Sequence, residues 1–288
     1  VTLEEMTNCL TLNAYAKLNL GLRVLGLRND GFHELHTHMH TIDLFDELTF
    51  QKTSNAIGID TEPATDIPLE KNLIYKAIRL FQQKSDLDQN VHVQLEKVIP
   101  VGAGLGGGSS DAAATLVAMN QLFNTNYSNE TLAEWGAELG SDIPFFIEGG
   151  FACAKGRGEV LKSLDSPYLN HTFVVISPPI KCSTPEVFQT WDELFESDPI
   201  KDLECEQMDH HNDLQASACH QYPEMMPYRE LIQDAPTKIK GMSGSGSSWY
   251  VGFSDEGEAK VYQRQLESLD LEAQTYCVKT MTRRNHDA

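Results

Sequence analysis

Residues 100–110 read Pro100-Val101-Gly102-Ala103-Gly104-Leu105-Gly106-Gly107-Gly108-Ser109-Ser110, and Asp111-Ala112-Ala113-Ala114-Thr115-Leu116 follows at once. Five of the seven positions from 102 to 108 are glycine. A backbone this bare can turn its N–H groups toward an anion and let oxygen atoms approach closely. The run after it predicts a helix from Ser109 to Phe123, whose first turn adds unpaired N–H groups and the positive end of a dipole. The stretch reads as a phosphate-gripping loop that feeds a helix. The bland alternative is a flexible linker, but linkers do not end in a tight helix-forming run.

Three loop types compete. A Walker A loop needs Lys and Ser/Thr directly after its last glycine, whereas Gly107 is followed by Gly108 and no such lysine is present. Gly102, Gly104 and Gly107 have the dinucleotide spacing, but Val91 to Leu95 alternates apolar and polar like a half-exposed antiparallel strand. Pro100 also stands where a Rossmann strand would run into its turn. The third type fits nearly throughout: the stretch resembles the Pro-x-Gly-x-Gly-Leu-Gly-Gly-Gly-Ser-Ser-x-Ala-Ala loop of the GHMP small-molecule kinases.

The 288 residues suffice for two compact domains or one large one. A net charge of −20 argues against nucleic acid or an anionic membrane as partner. An anionic nucleotide must then be drawn in by local positive potential, since the global field is screened beyond about 8 Å. No apolar run is long enough to span a membrane, and the first twelve residues carry Glu4 and Glu5 rather than a signal peptide. The six cysteines show no C-x-x-C pairing and read as reduced thiols of a cytoplasmic protein, not as a disulfide frame or zinc site.

Strand-like segments are expected at 11–25 and 37–50, with a turn at Asn29-Asp30-Gly31 between them. Helices are expected at 72–84, with Asn72 as N-cap, and at 128–139. A second unit starts near Gly156-Arg157-Gly158. It holds a strand at 171–177, a helix opened by Thr184-Pro185-Glu186, the glycine/serine segment 241–248, a strand at 249–253, a helix at 255–269 and a strand at 273–281. Interleaved elements with antiparallel strands imply an α+β protein. The acidic stretch 202–209 reads as a solvated surface. His36, His38 and His40 alternate on one strand face, but no cysteine or carboxylate nearby in sequence completes a metal site.

Further landmarks are Ala16-Lys17-Leu18-Asn19-Leu20, Asp30-Gly31-Phe32-His33-Glu34-Leu35, Gly140-Ser141-Asp142-Ile143-Pro144, Ser183-Thr184-Pro185, Asn212-Asp213 and Gly241-Met242-Ser243-Gly244-Ser245-Gly246. Together they resemble the 4-diphosphocytidyl-2-C-methyl-D-erythritol kinase family of the GHMP superfamily, over nearly the whole chain. The resemblance implies a two-domain GHMP kinase fold: a ribosomal-S5-like N-terminal domain over 1–158 and a ferredoxin-like C-terminal domain over 159–288. It implies phosphorylation of the 2-hydroxyl of a cytidine diphosphate substrate by ATP with Mg²⁺, in the non-mevalonate route to isoprenoid precursors. It assigns no Mg²⁺ ligands and no oligomeric state.

The resemblance also distributes roles. Residues 100–110 hold the ATP phosphates, Asp142 is the catalytic carboxylate and Lys17 its electrostatic partner. Asn19 and Gly244 border the acceptor. Phe32 and His33 take the cytosine, with Thr184 and the Phe188 ring opposite. Phe32 stands where the family commonly has tyrosine. Read alone, each residue has a plainer role. Ser109 and Ser110 can cap a helix, Asp142 can form a cap or Asx turn, Lys17 and Asn19 can face solvent, and Phe188 can be core. The rivals are another GHMP kinase, of mevalonate or homoserine type, and a non-catalytic nucleotide-binding protein on the same fold.

Overall fold

The structure is a computed structural model and describes residues 8–195, 204–205 and 209–282. Two long strands, β1 (Cys9–Leu27) and β2 (His33–Thr53), pair antiparallel along their whole length across the turn at 29–32. On its other edge β2 pairs through Glu47–Thr53 with β4 (Asn90–Glu96) and through Leu35–His40 with β5 (Phe151–Gly156). The strands β3 (Gly58–Glu62), paired with β4, and β6 (Val160–Ser163), paired with β5, extend that side of the six-stranded sheet, and β1 forms its opposite edge. The first sheet therefore reaches to Ser163.

Helices α1 (Leu73–Ser85), α2 (Gly107–Leu122), α3 (Asn129–Leu139) and α4 (Ile143–Glu148) cover one face of that sheet. Their starts follow local chemistry. Asn72 caps α1 by accepting from the Ile74 amide, and Ser128 caps α3 by accepting from Thr131. Ala112, Ala113 and Ala114 are fully buried in the core that α2 shares with the sheet and the neighbouring helices, where small side chains let it pack closely on all sides.

The second sheet has strand order β10 (Gln274–Lys279), β7 (Thr172–Ser177), β9 (Trp249–Phe253), β8 (Lys240–Met242). Helices α5 (Thr184–Leu194), α6 (Leu214–Gln221) and α7 (Met226–Gln233) lie between β7 and β8 in sequence, and α8 (Glu256–Glu267) lies between β9 and β10. In chain order the strands stack 4-1-3-2, a ferredoxin-like arrangement. Ala16, Leu18, Leu20 and Ile42 of the first sheet pack with Phe173, Val175, Tyr250 and Val278 of the second. The layers thus run helices, sheet, sheet, helices.

One irregularity positions the site. The β1–β2 register shifts between Tyr15 and Lys17. Before it, Leu12 and Ala14 pack on the helix side; after it, Ala16, Leu18 and Leu20 pack between the sheets. Alternation then turns Lys17 and Asn19 to the helix side, where α2 and α4 begin.

Two expectations change. α2 starts at Gly107, so Gly106 occupies the cap position and neither serine does. Cys153 of β5 and Cys205 form a disulfide, with Cα atoms 5.8 Å apart, while Cys9, Cys182, Cys219 and Cys277 are free. The reading of six reduced thiols missed this pair because 52 residues separate the two in sequence. The acidic stretch 202–209 lies mostly outside the described residues. Among those described, no helix is long and apolar enough to cross a membrane.

Candidate active site

A cavity of about 850 Å³ opens where β1, β2, the 100–109 loop, the Ser141-Asp142 turn, α5 and the 244–246 turn meet. Lys17, Lys71, Lys97 and Arg157 line it, against Asp111, Asp142 and Asp192. This balance is far more positive than the chain's net −20, which is what an anionic ligand needs.

The loop is held by its carbonyl oxygens. Gly102 O accepts from Cys182 N (3.4 Å), Ala103 O from Ser248 N (3.1 Å) and Leu105 O from Lys17 N (3.0 Å). Gly104 O accepts from Lys17 Nζ (2.8 Å) and Ser243 Oγ (2.9 Å). In a trans peptide the N–H points opposite to its C=O. Binding the carbonyls to the protein therefore turns the amides of residues 103–106 the other way. Gly106, at φ +75°, then starts α2 with no side-chain cap, and Gly107, Gly108 and Ser109 line the cavity at the positive end of the helix. A Cβ on Gly106 would lie 2.5 Å from the Phe146 ring, so only glycine allows this approach.

Leu105 and Ser110 do not line the cavity. Leu105 is buried between the two sheets. Ser110 is buried and donates to Tyr15 O at 2.7 Å, anchoring α2 to β1. The helix turn explains this: consecutive residues point about 100° apart, so one hydroxyl faces out and the next faces in. The other loop positions, Pro100 to Gly104 and Gly106 to Ser109, do line it.

Lys17 is 2% exposed. Its ammonium donates to Asn19 Oδ1 and to Gly104 O, and lies 3.9 Å from Asp142 Oδ2. Burial pushes its pKa below the ordinary lysine value, and Asp142 pulls it back up. Asp142 precedes α4 but makes no side-chain capping bond there, and its side chain is 36% exposed. Its carboxylate is thus not consumed by the cap or Asx turn that an aspartate before Ile-Pro invites. Asn19 also donates from Nδ2 to Thr37 Oγ1 (2.9 Å) and from its amide to Ser243 Oγ (3.1 Å). Gly244 follows at φ +59°, where a Cβ would meet Asn19 Oδ1 at 3.2 Å and Lys17 Nζ at 3.4 Å.

The far end of the cavity is aromatic. Phe32 is 51% exposed, and the Arg157 guanidinium lies 4.8 Å from its ring centre. His33 stacks on Phe188 at 4.8 Å between ring centres, and its Nε2 lies 2.8 Å from Asp192 Oδ1. The Phe188 ring therefore meets His33 rather than standing free across from Phe32. Thr184 and Ser245 share a hydroxyl hydrogen bond at 2.8 Å, linking α5 to the 244–246 turn.

Sequence reasoning missed Asp192, Arg157 and Lys97 as lining residues. Asp192 carried a signal: it follows Phe188 by four, which puts both on one helix face. Lys97 bridges the buried Asp46 and Asp111, contacting Asp111 at 2.9 Å. Burial works to lower the Lys97 pKa, but the two carboxylates outweigh it and hold it above the ordinary value.

Comparison with known proteins matches this architecture. Residues 72–150 fit the family described as the GHMP kinases N terminal domain. The 4-diphosphocytidyl-2-C-methyl-D-erythritol kinase of Aromatoleum aromaticum is 38% identical, covering 89% of each chain. The chain belongs to the 4-diphosphocytidyl-2-C-methyl-D-erythritol kinase family. The member from Protochlamydia amoebophila is 41% identical over 82% of this chain and 81% of its own. A crystal structure of a 4-(cytidine 5′-diphospho)-2C-methyl-D-erythritol kinase superposes with a TM-score of 0.78 at 31% identity, covering 94% of this chain and 99% of that one. A homoserine kinase from Cytophaga hutchinsonii shares the fold alone, with a TM-score of 0.72 at 16% identity. The family's landmarks at Lys17, Phe32-His33, 100–110, Asp142 and Gly244 thus converge on one cavity, save Leu105 and Ser110.

Proposed function

We propose that this chain transfers the γ-phosphoryl group of ATP to the 2-hydroxyl of 4-diphosphocytidyl-2-C-methyl-D-erythritol, as a cytoplasmic enzyme of isoprenoid precursor synthesis. The carrying observation is Lys17, whose buried ammonium bonds the phosphate loop at Gly104 O and lies 3.9 Å from the uncapped Asp142 carboxylate.

Amides of the 102–108 loop and the α2 terminus hold the triphosphate. The cytosine lies at the Phe32 and His33 end, with Asp192 fixing the imidazole. The acceptor hydroxyl comes to Asp142, which orients it and takes its proton, while Lys17 offsets the charge that develops on the transferring group. Mg²⁺, when bound with the nucleotide, would neutralise phosphate charge, and the Ser109 hydroxyl that lines the cavity would be an oxygen donor for it beside the phosphates. The unit built on the first sheet, which runs through Ser163 rather than ending at 158, and the unit built on the second sheet both contribute walls to this cleft.

Purified protein with ATP, Mg²⁺ and the cytidine substrate should release ADP. Lys17→Ala and Asp142→Asn should each cut kcat at least 100-fold with the fold intact by circular dichroism. Near-parental turnover in either overturns the role given to that residue. Inhibition by CDP separates this reading from a mevalonate- or homoserine-type kinase, and substrate-stimulated ADP release separates it from a non-catalytic nucleotide binder.

A further inference from the structure

We propose that the reduced protein binds a divalent zinc ion at a buried site made by His36, His38, Cys153 and Cys205, for which the Cys153–Cys205 disulfide is the oxidised, metal-free form. None of the four lines the cavity described above.

His36 and His38 alternate on one face of β2, and β5 runs beside them with Cys153 in register with His38. The ligand atoms of His36, His38 and Cys153 lie within 4.8 Å of one another, and all three residues are buried. His36 Nε2 is 3.1 Å from Cys153 Sγ. Cys205, itself 6% exposed, brings a second sulfur to the same point. A crosslink alone accounts for two cysteines but not for two imidazoles converging on their sulfur. Two thiolates and two imidazoles are the donor set of tetrahedral structural zinc.

The surroundings suit that ion. Metal-bound imidazoles characteristically use their other ring nitrogen on a carbonyl or carboxylate. His38 Nε2 lies 2.6 Å from Cys205 O. Donation there puts the ring's lone pair on Nδ1, fixing the tautomer a metal takes. The charges also balance: two thiolates and two neutral imidazoles cancel Zn²⁺, so no uncompensated charge is buried.

The two states interconvert by a balanced exchange. A thiol reductant supplies two electrons, the Cys153–Cys205 bond opens to two thiols, and the reductant leaves as its own disulfide. Zn²⁺ then displaces both S–H protons to solvent and takes the thiolates. Either state ties the backbone at Cys205 to β5. From Asp209 the same stretch of chain runs on to Asn212, whose Nδ2 donates to Met242 O and Gly244 O at 2.8 Å each. Those two bonds steady the turn at the cavity wall.

The test uses the full chain without a histidine tag, reduced with a phosphine and exchanged anaerobically into Zn²⁺ or Co²⁺. The expected result is one metal per chain, with a sulfur-to-cobalt charge-transfer band and the intense visible bands of a tetrahedral Co²⁺ site. Diamide-oxidised protein should take up none. Cys205→Ser and His38→Gln should weaken binding by more than roughly 100-fold, beyond what loss of an outer-shell partner costs. Cys9→Ser, an exposed control, should change nothing. Should either ligand variant misfold, Zn²⁺ should protect two thiols of the parent protein from alkylation. Substoichiometric uptake, a cobalt spectrum without the sulfur band, no thiol protection, or undiminished binding in a folded Cys205→Ser or His38→Gln protein each overturns the proposal.

Discussion

Gly104 is where the two glycine-rich segments touch. It sits at φ +75°, and a Cβ there would lie 2.2 Å from Ser243 O and 2.9 Å from Gly246 O. Gly104→Ala therefore carries two costs. Holding an L-residue in the left-handed region costs about 1–2 kcal/mol. The collision is with main chain, so no side chain can swing away; the loop and the 243–246 turn must separate, at about 1–3 kcal/mol more. Gly102 isolates the first cost, because its φ is +70° and a Cβ would rest 3.8 Å from Lys181, an ordinary contact. At ~2–4 °C per kcal/mol for a chain of this size, Gly102→Ala should lower Tm by ~2–8 °C and Gly104→Ala by a further ~2–12 °C. Thermal melts of the two variants and the parent in one buffer measure this directly. Steady-state ADP release should show KM for ATP rising more in Gly104→Ala, since only that substitution pushes the loop away from the 243–246 turn. A Gly104→Ala protein melting no lower than Gly102→Ala would refute the contact between the segments.

Three further outcomes test other parts of the molecule. Burial pulls the His40 pKa from 6.5 down to about 4, although its hydrogen bond to Thr41 opposes the shift. The unfolded chain then binds the extra proton between those values, so stability is full above pH 6.5 and declines by ~3 kcal/mol as pH falls to 4. Urea titrations should show that decline, and an equally steep one in His40→Gln would count against it. Lys97→Met should destabilise by ~3–5 kcal/mol by leaving Asp46 and Asp111 buried without their cation, measured as the urea midpoint; an unchanged midpoint would contradict the network. Phe32→Ala should raise KM for the cytidine substrate roughly 10–100-fold through lost base stacking, with little change in melting temperature because the ring is half exposed. An unchanged KM would remove Phe32 from the substrate site.

The sequence carried local chemistry well. Asn72 and Ser128 announce helix starts because capping is decided by neighbours in the chain, and the glycines before Ala112 announce a loop feeding a helix. Lys17 and Asn19 share a strand face by simple alternation. Which side that face looks to was not legible, because the register shift at Tyr15 depends on how β1 meets β2. Ser109 and Ser110 looked equivalent, yet the helix begins two residues earlier and sends Ser110 inward to Tyr15 O. Partners distant in sequence were hidden for the same reason. Asp46 reaches Lys97, Asp192 reaches His33, and Cys205 reaches Cys153 only once the sheets and α5 have packed. Phe188 read most simply as core and, by resemblance, as a ring at the ligand; the structure packs it against the second core and lines the cavity with it, and adds a stack on His33 that neither reading named.

The central claim is that bare loop amides hold a triphosphate beside a lysine–carboxylate couple. A crystal structure of the protein with a non-hydrolysable ATP analogue and the cytidine substrate tests it most directly. The account predicts the β- and γ-phosphates on the amides of residues 102–108, with the acceptor hydroxyl in hydrogen-bond reach of Asp142 and Lys17 Nζ beside the γ-phosphate. Phosphates bound elsewhere in the cavity, or an acceptor hydroxyl out of reach of Asp142, would contradict it.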